Sequence, residues 1–193
     1  MVDQVQLFFH VRVLIAVVVG IGITRLLSGV TSMAQHNRDK PVSATHLLWL
    51  VTVIVMAIHF WWFEFQLMEV QSWHFELFIF FLLYAFLFTL MAAVLVPENL
   101  GEHPNYNTYF MAHRGAFFGL LAATVPVDLV DTLLKGSAHY HSLGLEYPLR
   151  LAGLLVLCAI AAWTSNRRLH LFLAGSYLAY FISWILRLQD VIR

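Results

Sequence analysis

Residues 109–134 read YFMAHRGAFFGLLAATVPVDLVDTLL, and this stretch decides the fold. A bilayer core of roughly 30 Å needs about 20 predominantly apolar residues in a helix, and the stretch is long enough to supply them. It closes on two acids, Asp128 and Asp131, one helical turn apart and just past Pro126. A charge in hydrocarbon costs about 2.5–3.5 kcal/mol on insertion scales, so it comes with a partner, with water or with a task.

Five further runs of the same kind flank it, at about residues 7–27, 46–66, 75–96, 148–163 and 169–188. The chain is 61% hydrophobic and 11% charged, against about 25% charged in soluble domains. A soluble core could hide one such helix, but not six in succession with almost no polar face. The expected fold is therefore all-α: a polytopic six-helix transmembrane bundle, a single domain over residues 1–193. The longest links, about residues 28–45, 97–108 and 135–147, are too short for a folded extramembrane domain. Function is expected in the bundle or at its mouths.

The punctuation agrees. Pro97 ends the third run, and Pro148 opens the fifth, where a missing N–H is tolerated. Gly136 follows the fourth as a C-terminal cap. Ser165-Asn166-Arg167-Arg168 is a tight polar link, so the last two spans are expected to form an antiparallel hairpin. The N-terminus MVDQVQ lacks the basic region of a cleaved signal, so the first run is expected to stay as a span. Net charge is zero and the 11 basic residues are scattered, which gives no face for nucleic acid. The single cysteine, Cys158, lies in an apolar run and offers neither a disulfide framework nor a CxxC metal site.

Two signatures recur. Phe9-His10-Val11-Arg12 opens the first span and Met111-Ala112-His113-Arg114 the fourth. Leu26-Leu27-Ser28-Gly29 closes the first, and Leu133-Leu134-Lys135-Gly136 the fourth. A duplication of three helices, over about residues 1–97 and 105–190, would explain this. Three is odd, so the second copy would be inverted in the membrane. Chance similarity between Leu-rich helices is the plain alternative.

Span parity assigns sides. With side A defined as the face carrying the N-terminus, His10, Arg12, Glu64, Asp128 and Asp131 lie near side A. Arg25, His46, His113 and Arg114 lie near side B. Lys135, Arg150, Arg187 and Arg193 also fall on side A. The expected partner of the aspartates is thus Arg12 rather than Arg25, with Glu64 close by. Arg38 and Lys40 follow the first span, while no Lys or Arg precedes it. The positive-inside rule then puts side B in the cytoplasm and both termini outside.

Asp128, Asp131 and Glu64, with Arg12 and His59, form the candidate ion or proton site. The two aspartates share a helix face at i and i+3. Pro126 removes a backbone hydrogen bond beside them and bends the helix, which suits a cation site or a relay. The alternative is a solvated or structural pair, with Arg12 and Lys135 as counter-ions. His59 is the deepest histidine and titrates near neutrality; its other reading is a hydrogen bond between helices. Phe60, Trp61, Trp62 and Phe63 read as an interfacial aromatic belt or as an aromatic ligand mouth. His10 with His59 could pair for haem on side A, while His46, His113 and His170 share side B but at its interface; His139-Tyr140-His141 supplies only two metal ligands, and no cofactor is expected. Gly115, Gly119, Ala122 and Ala123 on the fourth span, and Gly20 with Thr24 on the first, are expected to let helices approach closely. Tyr177, Tyr180 and Ser183 either line a polar path or cross-link helices.

His46-Leu47-Leu48-Trp49, His59-Phe60-Trp61-Trp62-Phe63-Glu64 and the run Asp128-Leu129-Val130-Asp131-Thr132-Leu133-Leu134-Lys135-Gly136 are similar to small multi-pass integral membrane proteins of bacteria. The resemblance implies a bacterial inner-membrane protein of this size and carries over no activity and no functional residue. The acid pair, the kink and the repeat favour a small channel or transporter for ions, protons or a small solute, in contact with membrane lipid and assembled as a homo-oligomer. A haem- or metal-dependent membrane redox or lipid-modifying enzyme, and a noncatalytic membrane scaffold, are the alternatives.

Overall fold

The computed structural model describes residues 4–35, 43–64, 67, 73–98 and 103–189. Among these there are seven helices and no strand. They are α1 (Gln4–Gln35), α2 (Ala44–Phe63), α3 (Phe75–Leu95), α4 (Tyr106–Leu134), α5 (Ser137–Ser142), α6 (Glu146–Trp163) and α7 (Arg167–Gln189). All but the six-residue α5 are long and apolar enough to cross a membrane. The chain is an all-α, multi-pass bundle. Arg38, Lys40 and Arg193, which enter the orientation count, and Gln66 lie outside the described residues.

Local chemistry starts and stops the helices. The Ser43 hydroxyl accepts from the His46 N–H, and the Asn105 side chain accepts from the Thr108 N–H at 2.9 Å. The Asn166 side-chain Oδ1 accepts from the Arg168 N–H at 3.0 Å, opening α7. Each satisfies a donor that the first helical turn leaves without a partner. The C-terminus of α3 is closed from outside: Arg25 donates to the Val96 carbonyl at 2.9 Å, and the His46 ring bonds the Leu95 carbonyl at 2.7 Å. Gly136 joins α4 to α5 at φ 107°, a conformation in which a Cβ would be strained.

The helices are apolar on both sides for different reasons. On α3, Phe81, Tyr84, Ala85, Phe88, Met91, Ala92 and Leu95 are buried at helical spacing. Leu83, Phe86 and Leu90 point outward, where lipid replaces water and costs an apolar side chain nothing. The tightest seam joins α1 to α3. A Cβ at Gly22 would lie 3.4 Å from the Thr89 Cα, and one at Gly29 2.5 Å from Val96 Cγ2. Thr89 adds a hydrogen bond across this seam to the Val18 carbonyl at 3.2 Å.

Two packing expectations are corrected here. A Cβ at Gly20, Gly115 or Gly119 would meet nothing within 4 Å, so these glycines do not bring α1 or α4 against another helix, although Ala122 does pack against the core; Gly22 and Gly29 make the close approach instead. The backbones of the last two spans approach only slightly, while α7 packs mainly on α2 and α4 on α6 and α3. The hairpin is joined by side chains, Glu146 with Tyr180 and Arg187 and Arg150 with Trp184, rather than by close backbone packing. The two helix triplets also pack differently, since the α1 backbone lies along α3, whereas α4 meets α7 through the rings of Phe110 and Phe118 on His170.

Candidate ion site at the side A end of the bundle

The C-terminal turns of α2 and α4 meet the N-terminal half of α6 around a partly open cavity of about 60 Å³. α3 contributes Tyr84 and Phe88 to its wall, and α7 contributes Phe181 and Trp184. Glu64, Asp128, Asp131, Lys135 and Arg150 all line it. Parity placed every one of these groups on side A.

Asp128 is the well-bonded acid. One of its oxygens accepts from Arg150 at 2.8 Å and from the Tyr147 hydroxyl at 3.1 Å, and the other from the Tyr84 hydroxyl at 3.3 Å. Thr132 hydrogen-bonds the same Tyr147 hydroxyl at 2.7 Å. Arg150 is held from its far side too. Its guanidinium lies 4.3 Å from the Trp184 ring and 5.3 Å from that of Tyr147, within the range of a cation–π contact. The Arg150 side chain is only 7% exposed while that of Asp128 is 26% exposed, so the pair joins a buried, ring-braced cation to a partly exposed carboxylate.

Asp131 and Glu64 are differently placed. Lys135 Nζ sits 2.9 Å from Asp131 Oδ2 and 3.6 Å from Glu64 Oε1. One ammonium thus serves two carboxylates, from the same helix as Asp131 at i+4. Glu64 is 1% exposed. Asp131 Oδ1 and both Glu64 oxygens are buried without a hydrogen bond among the described residues. In direct contact, three carboxylates face two cations, and of the three oxygens without a hydrogen bond among the described residues only Glu64 Oε1 has an ion-pair contact, the 3.6 Å approach of Lys135.

The Arg12 expectation is corrected. Asp128 pairs with Arg150, and Asp131 pairs with Lys135. Arg12 instead lies over the Trp61 ring at 5.0 Å, and acts on Glu64 only through its field. The cause is topological: α1 and α4 share a membrane level but are not packed against each other. Arg150 was visible in the sequence as a side A cation, yet nothing in the sequence says that α6 is the neighbour of α4.

His59 lines the cavity and packs against Phe63 at 4.4 Å, Phe181 at 5.4 Å and Trp184 at 5.4 Å. Its Nε2 has no hydrogen bond among the described residues. The aromatic run divides by face: Phe60 and Phe63 are buried and Trp62 is 53% exposed. α4 runs through Pro126 as one helix. His10, the other half of the haem pair, is exposed. Among the described residues no three His, Cys, Asp or Glu side chains converge as a metal-binding group.

Fold and site together define a multi-pass α-helical membrane protein with an ionic cluster near one membrane face. Comparison with family models, with curated proteins and with solved structures gives no match.

Proposed function

We propose that the protein is a small membrane channel or transporter for protons or a small cation, with Asp131 and Glu64 as its ion-binding groups. The observation that supports this is the set of three buried carboxylate oxygens without a hydrogen bond among the described residues, beside a cavity of about 60 Å³. That volume holds a few waters or one small ion, since a water needs about 10–15 Å³ by such a measure; ligand pockets for larger solutes run to about 300–1,000 Å³. Lys135 competes with the ion for both carboxylates, and Asp128 with Arg150 holds the frame. Arg12 tunes Glu64 from a distance, and His59 offers a further exchangeable proton at the wall. Assembly of several copies in a bacterial inner membrane, with both termini outside, belongs to the same reading.

The test uses purified protein in liposomes containing a pH-sensitive dye, with an imposed potassium diffusion potential. Proton entry above that of protein-free liposomes is expected, reduced at least tenfold in the double variant Glu64→Gln with Asp131→Asn. Equal flux in wild type and double variant would overturn the assignment. A noncatalytic scaffold draws support from Asp128, whose bonds are all made within the protein. It predicts no flux above background from wild type.

A further inference from the structure

A second recess lies between α6 and α7, a groove of about 290 Å³. It descends in three levels. At its mouth Glu146 accepts from Tyr180 at 3.1 Å and pairs with Arg187 at 2.6 Å. One helical turn deeper, Arg150 and Tyr177 line it. Below them the wall is apolar, with Leu154, Leu157 and Gly153, where a Cβ would meet nothing within 4 Å.

The middle level carries two buried donors without acceptors. Arg150 Nε and the Tyr177 hydroxyl have no hydrogen bond among the described residues, although the Arg150 side chain is 7% exposed and Tyr177 6%. Buried donors of this kind are costly unless an acceptor reaches them. The cations beside them are already matched, Arg150 by Asp128 and Arg187 by Glu146. The groove thus asks for an uncharged acceptor oxygen with an apolar tail, about one turn inside the membrane face. An ester carbonyl of a glycerolipid has that chemistry, and its acyl chain fits the apolar level below.

We propose that the α6–α7 groove is a specific site for one acyl chain of a diacyl ester lipid, whose carbonyl accepts from Arg150 Nε or the Tyr177 hydroxyl. The site stands whether or not ions pass through the bundle. Because Arg150 also lines the charged cavity, it forms the wall between lipid and ion cluster.

Native mass spectrometry of the purified protein tests this with three added lipids: a zwitterionic diester phosphatidylcholine, its diether analogue with the same head group and chain length, and an anionic diester phosphatidylglycerol with the same chains. Wild type is expected to retain the ester lipid about five- to tenfold more than the ether, the scale of one hydrogen bond. Tyr177→Phe keeps the ring packed on Phe181 and should reduce that preference. Gly153→Leu fills the groove and should lower retention of both lipids. Equal retention of ester and ether by wild type would overturn the carbonyl contact. Retention of an anionic lipid with the same chains ahead of the zwitterionic one would overturn the uncharged acceptor.

Discussion

The two ends of α4 face opposite problems. Toward side B, Phe110, Phe117 and Phe118 pack with Trp49, His46 and His170. The histidines there bond backbone carbonyls, His46 that of Leu95 at 2.7 Å and His170 that of Thr164 at 3.0 Å. Toward side A, Asp128 and Asp131 sit among Lys135, Arg150 and Glu64. Among the described residues both ends leave polar atoms without a hydrogen bond: Trp49 Nε1 and the Nδ1 of His46 and His170 at one, carboxylate oxygens at the other. A neutral orphan costs about 1–3 kcal/mol, a charged one more. The aromatic end is thus built to be finished, whereas the charged end keeps a deficit that packing alone would have removed. Hydrophobic residues of similar volume often replace a buried ion pair at no loss of stability, so stability is a weak reason for the charged end to exist.

The largest expected effect breaks that contrast directly. Arg150→Met leaves the Asp128 carboxylate with only the Tyr84 and Tyr147 hydroxyls and removes the ring-stacked cation. A loss of about 3–5 kcal/mol is expected, read as unfolding in detergent titrated with a denaturing surfactant. Adding Asp128→Asn should restore much of it, because the unpaired charge goes with its partner. Lys135→Met comes next, at about 3 kcal/mol, since two acids then lose one shared cation. The sign with pH follows. Protonation discharges the acids, so the gap between variant and wild type should narrow as pH falls and widen as it rises. A gap constant with pH would show that Lys135 matters for packing rather than charge.

Length and composition made the six spans legible, and parity placed every charged group of the site on the right side. Neighbour order was not legible. Arg12 and Arg150 share side A, but only α6 packs on α4, and a depth argument cannot tell adjacent helices from remote ones. Lys135 was readable because i+4 spacing is local. The end of α1 was misread for a local reason as well. Ser28 and Gly29 read as the close of the first span, yet the hydroxyls of Ser28 and Thr31 donate to the Thr24 and Leu27 carbonyls at 2.9 and 3.0 Å, and the helix runs on to Gln35. α5, in the link after Gly136, had no apolar run to announce it. The split between a bonded Asp128 and an under-bonded Asp131 depends on α6 and was out of reach.

A change at the aromatic end measures the other side of the comparison. His46→Phe keeps a ring among Tyr106, Tyr109 and Phe110 but removes the bond to the Leu95 carbonyl at the end of α3. A loss of about 1–3 kcal/mol is expected, smaller than that of Arg150→Met in the same unfolding assay. A loss equal to or above it would mean that the closing of α3, rather than the charge cluster, is the costlier feature to disturb.

The smallest effects come from glycines that the helix spacing treats alike. Gly119 lies on α4 between the two ends, and a Cβ there meets nothing within 4 Å. Gly119→Ala removes backbone freedom from the unfolded chain and touches no neighbour, so it should be neutral or stabilising by up to about 1 kcal/mol. Gly29, in the α1–α3 seam, has Val96 Cγ2 2.5 Å from the Cβ position. Val96 is short and β-branched, so its methyl cannot swing clear without moving the chain. Its carbonyl is also the one that Arg25 caps. Gly29→Ala should therefore cost about 1–3 kcal/mol, the range for overpacking. Opposite signs for the two substitutions would confirm that helix contact in this bundle is set at α1 and α3. A loss at Gly119 comparable to that at Gly29 would mean that the outer face of α4 is covered in the membrane by another copy or another protein.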